Sequence, residues 1–145
     1  MAKTYQVTGF QRMINSVFRW LTRRGLGAGF RYVLTVPGRH SGELRSVPVD
    51  VIEVAGARWL VAAYGIVAWV HNVRAAGRIT LSRAGTDTAW LAEEVTGPET
   101  AAVLRAYLAA VPVTRPYFDV TAESSDAEFA AQAVRHPVFR LSPAA

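Results

Sequence analysis

Residues 38–45 read GRHSGELR, and they crowd two arginines, a histidine and a serine around two glycines. Glycine reaches positive φ and leaves neighbouring amides uncovered, and successive bare amides in a turn form a concavity that attracts anions. Arg39 and Arg45 flank this turn with forked donors matched to phosphate or carboxylate. Ser41 adds a hydroxyl and His40 a further donor. Each charge-assisted hydrogen bond contributes roughly 1.5–3 kcal/mol, so several together would hold a phosphorylated ligand. The other reading of the same residues is a basic, solvated hairpin tip.

A second constellation follows at residues 64–77, YGIVAWVHNVRAAG. A Tyr-Gly pair ends a strand, and Trp69, His71, Asn72 and Arg74 then share one short helix whose first amides lack intrahelical partners. Asn72 carries both donor and acceptor and could bond the edge of a heteroaromatic amide. Equally, Trp69 could be core and Asn72 a cap. Other chemistries find no support. The chain has no cysteine, which removes disulfides and thiolate sites. His40, His71 and His136 are scattered, so no metal site is expected, and neither a Ser/His/Asp set nor a carboxylate pair stands out.

The elements that must position these residues follow from periodicity. Residues 9–24 place Phe10, Met13, Ile14, Val17, Phe18 and Leu21 on one helical face, ended by Gly25 and Gly27. Strands are expected at 30–36 and 44–54 around the loop, then at 58–64 after an Ala55-Gly56 turn. A helix is expected at 68–77, stopping at Gly77, then a hairpin of 78–83 and 87–95 around Gly85. Pro98 opens a helix to about residue 110. Ser125 to Glu128 is a capping-box pattern for another helix ending near Arg135, and 136–141 closes the chain as a strand. Five or six mostly antiparallel strands with helices outside imply an α+β fold around a small barrel.

Composition is consistent with this. The 145 residues, 51% hydrophobic and 19% charged, fit one domain spanning 1–145 with a real core. The net charge of +5 is uneven, with +6 over residues 1–58, +2 over 59–90 and −3 over 91–145. A basic front half suits an anionic ligand, a nucleic acid or a lipid surface. Nucleic-acid binding is disfavoured, because no interleaved aromatics or known motif accompany the charge. No apolar run approaches a membrane span, and no signal-peptide core is evident, so a cytoplasmic protein is expected. The arginine-flanked helix at 9–24 has a second reading as a peripheral contact with the inner face of an anionic bilayer; packing on its own domain is favoured.

GRHSGELRSVPV followed by AWVHNVRAAG resembles the deazaflavin-dependent nitroreductase family. These are split-β-barrel proteins of the FMN-binding-like type, six-stranded and mostly antiparallel with flanking helices, that use coenzyme F-420, an 8-hydroxy-5-deazaflavin. The likeness runs from the first helix to about residue 95, and more loosely to the end. It implies that Gly38, Arg39, His40, Ser41, Gly42 and Arg45 bind the coenzyme's phosphate. It implies further that Ser46, Val47, Pro48, Val49 and Asp50 line the pocket. Ala62, Ala63, Tyr64 and Gly65 would lie against the ring, and Ala68, Trp69, Val70, His71 and Asn72 would close over it. Tyr117 is the best match to a tyrosine facing the substrate, with Tyr64 the other candidate. Two positions depart from the family pattern: His40 stands where lysine is usual, and a lysine often found between Tyr64 and Trp69 is missing.

The resemblance implies an oxidoreductase of the nitroreductase or quinone reductase kind, transferring hydride from reduced F-420 to an electron-poor small-molecule acceptor such as a quinone, enone or nitro compound. The alternatives are a non-catalytic carrier of a deazaflavin, flavin or lipid in the same barrel, and a reductase using FMN. Monomer and homodimer are both compatible with the sequence.

Overall fold

The computed structural model describes residues 31–144. The helix expected at 9–24 lies outside them, and with it the bilayer reading. Six strands form one closed barrel: β1 (Arg31–Pro37), β2 (Leu44–Val54), β3 (Ala57–Val61), β4 (Arg78–Arg83), β5 (Thr86–Val95) and β6 (Val138–Pro143). Around the barrel their order is β1-β2-β3-β6-β5-β4. Every pairing is antiparallel, and β1 against β4, in register at Leu34 and Leu81, closes the ring.

Alternation along each strand decides what fills the barrel. Leu34 and Val36, Val49 and Val51, Leu60 and Ala62, Ile79 and Leu81, and Phe139 and Leu141 form one buried cluster. β3 is buried on both faces. Its Trp59 and Val61 join a second core with Ile52, Val138 and the helical part of the chain, including Val103, Leu104, Tyr107 and Phe129.

Helix α1 (Ala68–Ala76) follows β3, and its Val70 and Val73 enter the barrel cluster. Gly77 ends it at φ 68°, its amide donating to the Val73 carbonyl at 2.8 Å, a conformation that favours glycine. Arg74 grips Glu94 of β5 through two bonds of 2.7 and 2.9 Å, which fixes the helix's far end. Helix α2 (Glu99–Ala110) starts after Pro98 as expected, and a 3-10 turn spans Pro112–Tyr117. Helix α3 (Asp126–Ala131) carries the capping box, with Ser125 Oγ accepting from the Glu128 amide and Glu128 Oε1 accepting from the Ser125 amide. It is shorter than expected, tightening into a 3-10 turn at Gln132–Val134 before β6.

Candidate functional site

The β1–β2 hairpin tip is built from its own backbone. The Gly38 amide donates to the Glu43 carbonyl at 2.8 Å, and the Gly42 amide to the Gly38 carbonyl at 2.9 Å. Ser41 Oγ accepts from the Glu43 amide at 3.1 Å. Gly42 sits at φ +75°, and a Cβ on Gly38 would lie 3.2 Å from Ser41 Oγ. The two glycines therefore serve the turn, with their own amides consumed in closing it. Among the described residues the amides of His40 and Ser41 keep no partner, and these two donors are the concavity that an anion would meet.

The arginines divide. Arg39 turns back onto α1, its amide and its guanidinium each donating to Asn72 Oδ1 at 3.0 Å, with a longer 3.4 Å approach to the Ala68 carbonyl. Arg45 stays out in solvent, 62% exposed, and makes only a 3.8 Å approach to Glu43. Its charge is the one on the loop that a ligand can recruit at little cost, because exposed pairs of this kind are weak.

Helix α1 begins at Val67, which offers no side-chain cap. Val70 N–H turns back to the Val67 carbonyl at 3.0 Å, and the amides of Ala68 and Trp69 have no partner among the described residues. The hairpin tip and this helix start face one cavity of about 460 Å³, lined by Gly38, Arg39, His40, Ser41, Arg45, Ser46, Val47, Pro48, Tyr64, Val67, Ala68, Trp69 and Asn72. Its volume lies in the range of small-molecule sites. It combines a basic, amide-rich end with a wall of Val47, Pro48, Val67 and Trp69.

Twelve of the expected residues line this cavity, and Val67 joins them. Its signal in the sequence was an apolar residue at a helix's capping position, where a serine or aspartate would have covered the first amides. The other eight lie elsewhere. Gly42 supports the turn, and Val49 and Val70 are core. His71 points outward on α1. Ala62 and Ala63 are buried behind Tyr64, and Gly65 forms the turn after it at φ +94°. Asp50 is buried under α2, its carboxylate accepting from Arg31 Nε at 2.6 Å and from the Tyr107 hydroxyl at 3.2 Å. Burial first, and the Asp50 charge second, raise the Tyr107 hydroxyl far above the usual phenol range, so it stays protonated as the donor. The physical reason is strand geometry: β2 leaves the cavity after Pro48 and runs into the barrel wall.

Tyr117 does not line the cavity; it packs edge-to-face on Tyr64 with ring centroids 4.9 Å apart. Behind this pair lies His136, 5% exposed. Its Nδ1 is 3.0 Å from the Ala62 carbonyl, and its ring stacks on Phe118 at 3.9 Å. Burial, ahead of any other influence, lowers its pKa below the ordinary histidine value.

A closed six-stranded antiparallel barrel with its cavity at the first hairpin defines the split-barrel, FMN-binding-like class. Solved structures share the fold. The chain is similar to an F420-H2-dependent reductase (FDR-A), at 21% identity over 79% of this chain and 95% of that one, with a TM-score of 0.57. It is similar to a domain-swapped dimer at 19% identity, 92% and 96% coverage and a TM-score of 0.57. A NimC/NimA family protein from Clostridium acetobutylicum matches at 12% identity, 93% and 83% coverage and a TM-score of 0.51. No curated protein matches the sequence. The sequence model of the F420H(2)-dependent quinone reductase family matches residues 18–130, and the chain belongs to that family. It is therefore an oxidoreductase that depends on F-420.

Among the described residues no helix is long and apolar enough to cross a membrane.

Proposed function

We propose that this cavity holds the F-420 coenzyme, and that the protein passes a hydride from its reduced form to an electron-poor acceptor, a quinone before an enone or nitro compound. The observation that carries the reading is that the open amides of His40 and Ser41 and the guanidinium of Arg45 share one cavity with Trp69 and the uncapped start of α1. This donor set fits a phosphate at one end and a flat ring at the other. When bound, the reduced deazaflavin supplies a two-electron hydride, since carbon replaces the reactive nitrogen of a flavin.

The chain supplies position and dryness. Arg45, the imidazole of His40 and the Ser41 hydroxyl hold the phosphate. Arg39 holds the loop against Asn72, so the phosphate end and the ring end keep a fixed separation. Val47, Pro48, Val67 and Trp69 exclude water from the ring. Asn72 Nδ2 is left to donate to a ring carbonyl. Tyr64, at the exposed rim, and Tyr117 beside it face the acceptor and donate a hydrogen bond to the oxygen on which charge develops.

Spectral titration with F-420 and FMN side by side, followed by incubation of the reduced coenzyme with menadione, tests this. Binding of F-420 in preference to FMN, and return of the oxidised absorbance, are expected. Binding without any return of absorbance would leave a carrier in place of a reductase.

A further inference from the structure

We propose that His136 is a positioning residue of the acceptor side, a buried imidazole that fixes from behind both pieces of chain that present Tyr64 and Tyr117. The proposal depends on the acceptor lying beside those two tyrosines, as put forward above.

Tyr64 stands in the turn that leaves β3. The Ala62 carbonyl organises that turn by accepting from the Gly65 amide at 3.2 Å and from His136 Nδ1 at 3.0 Å. A carbonyl can only accept, so the bond to Ala62 requires the proton on Nδ1. The chain around His136 reinforces the same turn: the Pro137 carbonyl accepts from the Ala62 amide at 2.9 Å, and the Arg135 carbonyl lies 3.6 Å from where a Cβ on Gly65 would be.

Tyr117 is held by the same ring, directly through its backbone and through its neighbour. Phe118 is buried and lies nearly parallel to the imidazole, with centroids 3.9 Å apart and planes 22° from parallel. The next residue, Asp119, donates its amide to Gln132 Oε1 at 3.1 Å, on the segment that leads into His136. The two tyrosines then close on each other edge-to-face, at 88°, a stable aromatic geometry. One imidazole thus ties together two segments more than fifty positions apart in the chain. His136 touches neither the cavity nor an acceptor, so its action runs through the tyrosines.

The test uses the full-length protein, reduced F-420 and menadione, with His136→Phe and His136→Asn. Phenylalanine keeps the stack on Phe118 and loses the donor; asparagine places an N–H close to where Nδ1–H was. In His136→Phe the KM for menadione should rise about tenfold, the loss of one buried hydrogen bond, while F-420 affinity and kcat change by less than about threefold. His136→Asn should restore the KM. Ring resonances of Tyr64 and Tyr117 should move in His136→Phe and return in His136→Asn. In the wild-type protein, nitrogen-15 spectra should show the Nδ1–H form, a readout that needs no variant to fold. An Nε2–H form, or tyrosine resonances that stay put in His136→Phe, overturns the proposal. Resonances that move while the menadione KM does not overturn it differently, by removing the acceptor from the tyrosines and leaving the contact intact.

Discussion

Asn72 Oδ1 accepts both the backbone amide and the guanidinium of Arg39, each at 3.0 Å. Asn72 is 5% exposed, so this shared oxygen sits at the buried junction of the β1–β2 hairpin and α1. An amide N–H only donates, which fixes the acceptor oxygen of the Asn72 side chain and leaves its Nδ2 outside this pair of bonds. The hairpin tip and the helix are therefore clasped directly to each other by one side chain.

Replacing Asn72 with alanine strands two donors at that junction. An unmet donor of this kind costs about 1–3 kcal/mol. The variant should unfold at lower denaturant and bind F-420 about tenfold more weakly or worse. Asn72→Asp keeps the oxygen and should recover most of the stability but not the affinity, because it lacks the Nδ2 donor for the ring carbonyl and adds a negative charge. Denaturation and fluorescence titration of the three proteins check this; wild-type affinity in Asn72→Ala would show that the clasp does not shape the site.

Arg39 and Arg45 look equivalent in the sequence but should behave differently. Arg45→Ala removes the exposed charge proposed to meet the phosphate and should weaken F-420 binding by about ten- to a hundredfold. Its stability should hardly change, because the exposed approach to Glu43 contributes little. Added salt should weaken the wild-type complex more steeply than the Arg45→Ala complex. Arg39→Ala should lower stability and affinity together, as Asn72→Ala does. Affinity within about twofold of wild type in Arg45→Ala would remove the phosphate from this loop.

What the sequence made legible was local. The period-two runs, Gly77 as a helix stop and the Ser125 capping box each express an interaction within a few residues, and all appear where expected. The site was legible as two motifs but not as a contact between them. Asn72 reads as a ligand group and is half spent on Arg39, a partner 33 positions away. Asp50 reads as pocket lining because a strand looks continuous in sequence, whereas β2 turns from cavity rim to barrel wall after Pro48 and delivers Asp50 to Arg31 and Tyr107. His136 carries no motif at all; its burial depends on the chain around Phe118 crossing over it. The 3-10 turn at Pro112–Tyr117 was missed for a different reason, since Pro116 inside it argues against any helix.

Two turns far from the cavity carry avoidable strain. Ala55 at φ 52° and Ala84 at φ 51° precede Gly56 and Gly85 in the two-residue β2–β3 and β4–β5 turns. Hairpin turns with both residues at positive φ favour Asn-Gly, because asparagine tolerates the left-handed region and alanine does not. Ala55→Asn and Ala84→Asn should each stabilise the fold by about 0.5–1 kcal/mol. Together they should raise Tm by about 3–6 °C, with effects that add. Neither residue lines the cavity, so F-420 affinity should be unchanged. Calorimetry of the single and double variants checks additivity.

The buried His136 gives stability a pH dependence whose sign can be worked out. Burial lowers its pKa in the folded protein, while in the unfolded chain it titrates near 6.5. Arg135, the neighbouring charge, acts in the same direction, and is itself paired with Asp119 at 2.6 Å. Between the folded and unfolded values the unfolded chain binds the extra proton, so stability rises with pH across that window. The contribution is complete above about pH 6.5, is lost as pH falls toward the folded value, and declines no further once both states are protonated. The barrel should therefore melt at progressively lower temperature on acidification from neutrality. His136→Asn, which has no proton to take up, should lose this part of the slope while other groups keep theirs. Melting curves of the two proteins across the acid range measure the difference, and parallel profiles would mean that His136 gains its proton as easily in the folded barrel as in the open chain.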